Sequence, residues 1–168
     1  MAGRGITDFD PAALVCLRTS ARLSQPALAA LARAYGARIG PTHICLYEQG
    51  RRRPQLSTVR ALAAALGIEV SALLKAEASE DVVRLRLAAG LTQREVAVLL
   101  GIAASRWSRV ERGRSRLEDG LIPKAAHVLG TRVPRLRRAL ESARMGLSGR
   151  RPAASPGENT VTAVSPAA

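Results

Sequence analysis

The chain has 168 residues, 47% of them hydrophobic, and its 26 Lys and Arg against 13 Asp and Glu leave a formal net charge of +13. That composition can bury one or two small cores beneath a strongly basic surface, which points to nucleic acid. No apolar run approaches the ~20 residues of a membrane span, and Met1 to Phe9 lacks the apolar core of a targeting segment, so no membrane is expected and the location expected is cytoplasmic.

Along the chain the apolar residues recur at i, i+3, i+4 and i+7 rather than alternating, which predicts an all-α protein with no strand. The first helix begins near Pro11. Ser24 caps a second, with Pro26 in its first turn where a missing N–H costs little, and Gly40 and Pro41 open a third in the same way. Between Leu74 and Val82 the segment "KAEASED" spans at most ~28 Å extended or ~12 Å as a helix, and its alanine and glutamate content favours the helix. A further helix is expected over Glu80 to Ala89, stopping at Gly90. Thr92 then caps the next, with Glu95 three residues on as in a capping box, and Val96, Ala97, Leu99 and Leu100 are expected to face its core. Gly101 supplies a tight bend. The following helix runs from about Ala103 to Arg112 and ends at Gly113 in a left-handed cap. Two more are expected, roughly Asp119 to Leu129, with Pro123 tolerated in its first turn or so, and Val133 to Glu141. From Leu147 the text turns rich in proline, serine and alanine without helical period, as a disordered tail does.

The chain repeats itself. Ile39 and Ile102, Glu48 and Glu111, Gly50 and Gly113, Leu66 and Leu129, and Gly67 and Gly130 each differ by 63. Leu17 and Leu85, Arg18 and Arg86, Leu23 and Leu91, and Gln25 and Gln93 differ by 68, so the first copy holds five extra residues, 68 minus 63, near Ala34 to Arg38. The expected division is a first domain over 10–76, a second over 79–146 and a tail over 147–168, each domain with about five helices.

Two helices joined by a short turn with a central glycine cross steeply, and the second projects as a ridge that fits a DNA major groove about 12 Å wide. "LTQREVAVLLGIAASRWSRVERGRSR", continued by "AAHVLG", resembles the lambda-repressor-like (Cro and repressor, or XRE) helix-turn-helix domain. The stretch "LSQPALAALARAYGARIGPTHICLYEQGRRRPQLSTVRALAAALGI" is similar to the same family. The resemblance implies compact five-helix DNA-binding domains whose third helices enter the major groove, with Gln25 and Gln93 touching phosphates.

In the second copy Ile102, Trp107 and Val110 should point inward, leaving Ala104, Ser105, Arg106, Ser108 and Arg109 outside. Ser105, Arg106 and Arg109 are the residues placed on base edges, with Ala104 beside them, and Arg112, Arg114 and Arg116 are placed on phosphates. The first copy has Pro41, Thr42, His43 and Leu46 where the second has Ala104, Ser105, Arg106 and Arg109, a less charged reading face with Thr42 and His43 as its base-contact candidates. A lone histidine of this kind is more often solvated or hydrogen-bonded than a base reader. Arg51, Arg52 and Arg53 keep the phosphate-binding run.

Of the basic residues only Lys75 and Lys124 are lysines, and arginine suits bidentate recognition of phosphates and guanine edges, although a GC-rich genome produces the same bias. Phe9, Tyr35, Tyr47 and Trp107 are too few to build the stacking platforms of single-strand binders, so the nucleic acid expected is double-stranded DNA. Cys16 and Cys45 form no C-x-x-C pair and read as small buried residues in a reducing compartment. No metal and no cofactor are expected. His43 and His127 lack an acid or cysteine at motif spacing and no glycine-rich phosphate loop occurs, which argues against an enzyme. The leading reading is a sequence-specific transcription regulator, a repressor of phage, mobile-element or actinobacterial type. The alternative is an adaptor or antitoxin-like module that binds a protein partner with the same fold. A fused pair that mimics the family's dimer and a head-to-tail pair that forms a homodimer through its fifth helices both remain open.

Overall fold

A computed structural model of the chain describes residues 5–76 and 81–148, the last two by their backbone alone. Among the described residues the fold is all-α. Helices α1 (Pro11–Ser20), α2 (Gln25–Ala34), α3 (Pro41–Glu48) and α4 (Leu56–Leu66), with a 3-10 turn at Val70–Leu73, form the first domain. Helices α5 (Val82–Ala88), α6 (Gln93–Leu100), α7 (Ala104–Glu111), α8 (Ile122–Val128, led by a 3-10 turn at Asp119–Leu121) and α9 (Val133–Ser148) form the second.

Local chemistry starts and stops these helices. The Asp10 carboxylate accepts the Ala12 and Ala13 N–H groups at 2.9 and 3.2 Å, and the Ser24 hydroxyl accepts that of Ala27 at 3.2 Å, so α1 and α2 begin with their free donors satisfied. At α6 the capping box is complete: Thr92 Oγ1 accepts the Glu95 N–H at 3.1 Å while the Glu95 carboxylate accepts the Thr92 N–H at 2.7 Å. Gly101 then turns the chain at φ +75°, a conformation that costs a side-chain-bearing residue roughly 1–2 kcal/mol.

Each domain closes over its own core. Leu14, Leu28, Ile44, Val59, Leu62 and Leu73 fill the first, and Val82, Val96, Trp107, Val110, Ala125 and Leu136 the second. The segment before α1 belongs to the first core, because Ile6 and Phe9 are buried in it and Phe9 forms an antiparallel bridge with Leu74. Asp10 N–H to the Leu73 carbonyl and Lys75 N–H to that of Asp8, at 2.9 and 2.8 Å, tie the two ends of the domain together.

Several expectations change in detail. The fifth element of the first domain is a single 3-10 turn, whereas its counterpart α9 extends seven residues past Glu141 to Ser148, so the segment assigned to the tail from Leu147 begins as helix; 149–168 lie outside the described residues. Lys75 and Ala76 are not helical, because Leu74 is held in the bridge to Phe9; Glu77 to Glu80, the rest of the linker and the expected start of α5, also lie outside them. Leu99 is 48% exposed rather than core-facing, since Val96, Ala97 and Leu100 span the buried arc of α6 and Leu99 falls beyond its edge. Cys16 is exposed and Cys45 half-buried, both as free thiols, because each sits on the outer side of its helix's buried residues.

Helices α3 and α7 are each fastened by an Arg–Glu ion pair, part-buried in the first domain and buried in the second. In the second domain Arg86 Nε on α5 donates to Glu111 Oε1 at the end of α7 at 2.5 Å, with side chains only 9% and 1% exposed. Gln93 at the start of α6 donates to the other carboxylate oxygen at 2.5 Å, Trp107 Nε1 donates to Oε1 at 2.7 Å, and Arg86 Nη1 reaches the Leu91 carbonyl at 2.7 Å. The first domain repeats the arrangement: Arg18 Nε to Glu48 Oε1 at 2.5 Å, Gln25 to Oε2 at 2.8 Å and Arg18 Nη1 to the Leu23 carbonyl at 2.8 Å. One carboxylate thus holds three helices in register. Glu111→Ala strands Arg86, Gln93 and the Trp107 N–H without their acceptor and is expected to cost about 3–5 kcal/mol in urea denaturation. The double change Arg86→Met with Glu111→Leu is expected to recover most of that loss; a single-variant cost below about 1 kcal/mol contradicts the fastening role.

The two domains also touch. Leu87 and Ala88 of α5 pack against the first core, and Val70 lies so close to Gly90, at φ +68°, that a Cβ there would sit 3.3 Å from its methyl. Arg60 of α4 pairs with the capping-box Glu95 of α6 at 2.8 Å. The Thr92 N–H and then the Arg60 guanidinium hold the Glu95 carboxyl down at about 2, against an ordinary 4.5. A depressed folded-state value means that the stabilisation from Glu95 is complete above about pH 4.5 and is lost as pH falls toward about 2. The stability difference between the wild type and Glu95→Gln, followed by urea denaturation, should therefore shrink across that window and stay flat above it.

Candidate nucleic-acid interface

In the second domain α7 presents two unlike sides. Trp107 and Val110 are buried with Glu111, while Ala104, Ser105 and Arg109 are exposed. Arg106 is partly covered because Nη2 binds the Glu118 carboxylate at 2.7 Å, a pairing the spacing of residues did not announce. Ser108, expected outside, is buried at 8%: Arg112 leaves the helix end and returns, donating from Nη2 to the Ser108 hydroxyl at 2.5 Å. Arg112, Arg114 and Arg116 are all exposed, just past the C-terminus of α7. The chain can make this turn because Gly113 has φ +69°, and because a Cβ at that position would collide with the Ala143 carbonyl of α9.

The first domain keeps the scaffold and changes the surface. Pro41 and Thr42 are exposed at the start of α3, and His43 and Leu46 are partly buried. His43 Nδ1 accepts the Gly40 N–H at 3.1 Å, so the ring is spent first on capping its own helix. Arg51, Arg52 and Arg53 are exposed after α3. Burial pushes the Tyr47 hydroxyl up, with the Arg52 guanidinium and a hydrogen bond with Thr58 opposing that shift. The five extra residues divide between two elements: α2 has ten residues where α6 has eight, and the turn covers 35–40 where the second domain uses 101–103. Ala37 and Ile39 are buried, which anchors the longer turn to the core.

Gln25 and Gln93 stand at the N-termini of α2 and α6, each with its amide turned inward onto Glu48 or Glu111. The residues that the reading of motifs passed over are the partners of those carboxylates, Arg18 and Arg86. The available signal was their recurrence at 68 residues while the glutamates recur at 63, an arginine and a glutamate doubled together. Among the described residues no group of three His, Cys, Asp or Glu side chains is placed to hold a metal ion, and no helix is long and apolar enough to cross a membrane.

Two family models match the chain, one described as a helix-turn-helix over residues 17–73 and one as a helix-turn-helix domain over residues 82–140. No curated protein and no solved structure matches it. The second span covers the second core, the first span covers the first core apart from Ile6, Phe9, Leu14 and Leu74, and each contains one Arg–Glu pair, one helix pair joined by a turn and one group of arginines after the second of those helices. The chain therefore carries two helix-turn-helix domains in tandem, of the lambda-repressor-like type.

Proposed function

We propose that the protein is a cytoplasmic, nucleoid-associated transcription regulator, a repressor that reads double-stranded DNA in the major groove with α7 and α3 and carries out no catalysis itself. The observation that carries this reading is the polarity of α7: buried aromatic and carboxylate on one side, exposed Ala104, Ser105 and Arg109 on the other, and three exposed arginines directly after it. Ser105, Arg106 and Arg109 contact base edges, with Ala104 beside them close enough for a thymine methyl. Arg112, Arg114 and Arg116 hold phosphates, together with Gln93 through the amide hydrogen not given to Glu111. Arg106 must exchange Glu118 for a guanine. A half-exposed surface pair contributes only about 0–1 kcal/mol, so a bidentate guanine contact, about 1–3 kcal/mol in discrimination, outweighs it.

In the first domain Thr42 and His43 face the bases, while Gln25, Arg51, Arg52 and Arg53 grip the backbone. Its reading face holds no exposed arginine, so the first domain orients the protein and the second specifies the site. A second reading, an adaptor or antitoxin-like module that docks a protein, is favoured by Val98 and Leu99, 73% and 48% exposed side by side on α6. Salt separates the two. With six or more phosphate contacts, duplex affinity should fall with a log–log slope of about −5 or steeper, at ~0.9 per contact. Selection from a random duplex pool should yield a defined sequence with the intact protein. Arg106→Ala and Arg109→Ala should each relax preference at one base pair by about 1–3 kcal/mol and leave weak non-specific binding in place. A shallow slope with no selected sequence sinks the DNA reading.

A further inference from the structure

The longer turn of the first domain forms one wall of a cleft. The cleft lies between that turn and the start of α4 with a volume of about 540 Å³, and its lining includes Arg38 from the turn, Arg52 and Arg53 from the run after α3, His43 of α3 and Ser57 of the first turn of α4. No acidic residue lines it. The three arginines are exposed, and none takes part in an ion pair among the described residues. The second domain places carboxylates at the corresponding start of its fourth helix. Subtracting 63 from Glu118 and Asp119, which bind Arg106 at 2.7 Å and Arg137 at 3.2 Å, leads to the uncharged Gln55 and Leu56.

Donors converge on this cleft with no acceptor of their own charge class. The N-terminus of α4, eleven residues long, has no side-chain cap and no acid in its first turn, so its positive end stays uncompensated. His43 Nδ1 already accepts the Gly40 N–H, which in the neutral ring leaves the proton on Nε2 as a further donor. Guanidinium groups gathered without a counterion repel one another, and a phosphate oxyanion relieves the repulsion while accepting their planar N–H pairs. The cleft also borders α3, the helix assigned to the groove, whose flanks are lined by backbone phosphates.

We propose that this cleft seats one phosphodiester of the DNA backbone, with Arg38 as the ligand that the extra residues contribute. The first domain thereby gains from the backbone the grip that its uncharged reading face does not supply. The source of the phosphate, though not the seat, rests on the DNA reading above.

Binding of the full chain to a fluorescent duplex, measured at several salt concentrations, tests the proposal with Arg38→Gln and with Arg38→Gln combined with Arg53→Gln. The single change should lower the steepness of the salt dependence by about 0.9, the loss of one phosphate, with the melting curve and the selected sequence unchanged. Wild-type steepness in both variants overturns the proposal. A parallel arm titrates inorganic phosphate into the DNA-free protein at constant ionic strength and follows the backbone amides of Arg38 and Ser57 by NMR. Saturable shifts there, combined with an unaltered salt dependence in R38Q, assign the seat to a free anion and overturn the DNA source. If the wild type binds no duplex at all, the reading of function fails first and the phosphate titration alone decides the seat: shifts that R38Q abolishes uphold it, and their absence removes it.

Discussion

A single carboxylate in each domain, Glu48 or Glu111, decides where α3 or α7 can stand. Burying a guanidinium and a carboxylate gains little net stability over an apolar pair of the same volume, because the desolvation cost consumes most of the attraction. The pair acts instead on the alternatives. Any rotation of α7 about its axis, or any slide of α6, leaves Arg86 buried without its acceptor, at a cost of about 3–5 kcal/mol that a small domain cannot absorb. Because Gln93, Trp107 and Arg86 share Glu111, the start of α6, the body of α7 and α5 move together or not at all. The exposed arc of α7 inherits its direction from that constraint.

On one scaffold the two domains carry different surfaces. In the second, Glu118 pairs with Arg106 on α7 and Asp119 with Arg137 on α9. The first has Thr42, His43 and Leu46 in the places of Ser105, Arg106 and Arg109, and the cleft lined by Arg38, Arg52 and Arg53 holds no carboxylate. The exposed side of α3 thus carries less charge than that of α7, while Arg51, Arg52 and Arg53 keep the charge after the helix. The contact of Val70 with Gly90 and the bridge from Arg60 to Glu95 join the two domains.

The five extra residues are absorbed without disturbing this scheme. Two lengthen α2 and three lengthen the turn, and Ala37 and Ile39 pin the added loop to the core, so the pair between Arg18 and Glu48 keeps the geometry of its counterpart. Insertion between the two helices is tolerated because the pair connects α1 to α3 directly and does not depend on the length of the turn.

Whatever depended on near neighbours in the chain was legible from residues alone. The doubled pattern, the Thr92 and Glu95 capping box, Ser24 and Pro26 at the start of α2, and the left-handed Gly101 and Gly113 all act within a helical turn or two, where local stereochemistry outweighs everything else. Periodicity also assigned Trp107 and Val110 to the core, since both lie near the middle of a buried arc. It failed at the edges of such arcs. On α6 the residues Val96, Ala97 and Leu100 span about 100°, and Leu99 falls about 60° outside it, a margin that only the neighbouring helices can award to core or solvent. Ser108 was covered by Arg112 returning from the next loop, Arg106 was drawn to Glu118 twelve residues away, and Gln25 and Gln93 turned inward to carboxylates on another helix. Those outcomes belong to tertiary structure, because a charged or polar side chain takes the best partner within reach in space, and distance along the chain does not specify which partner that is.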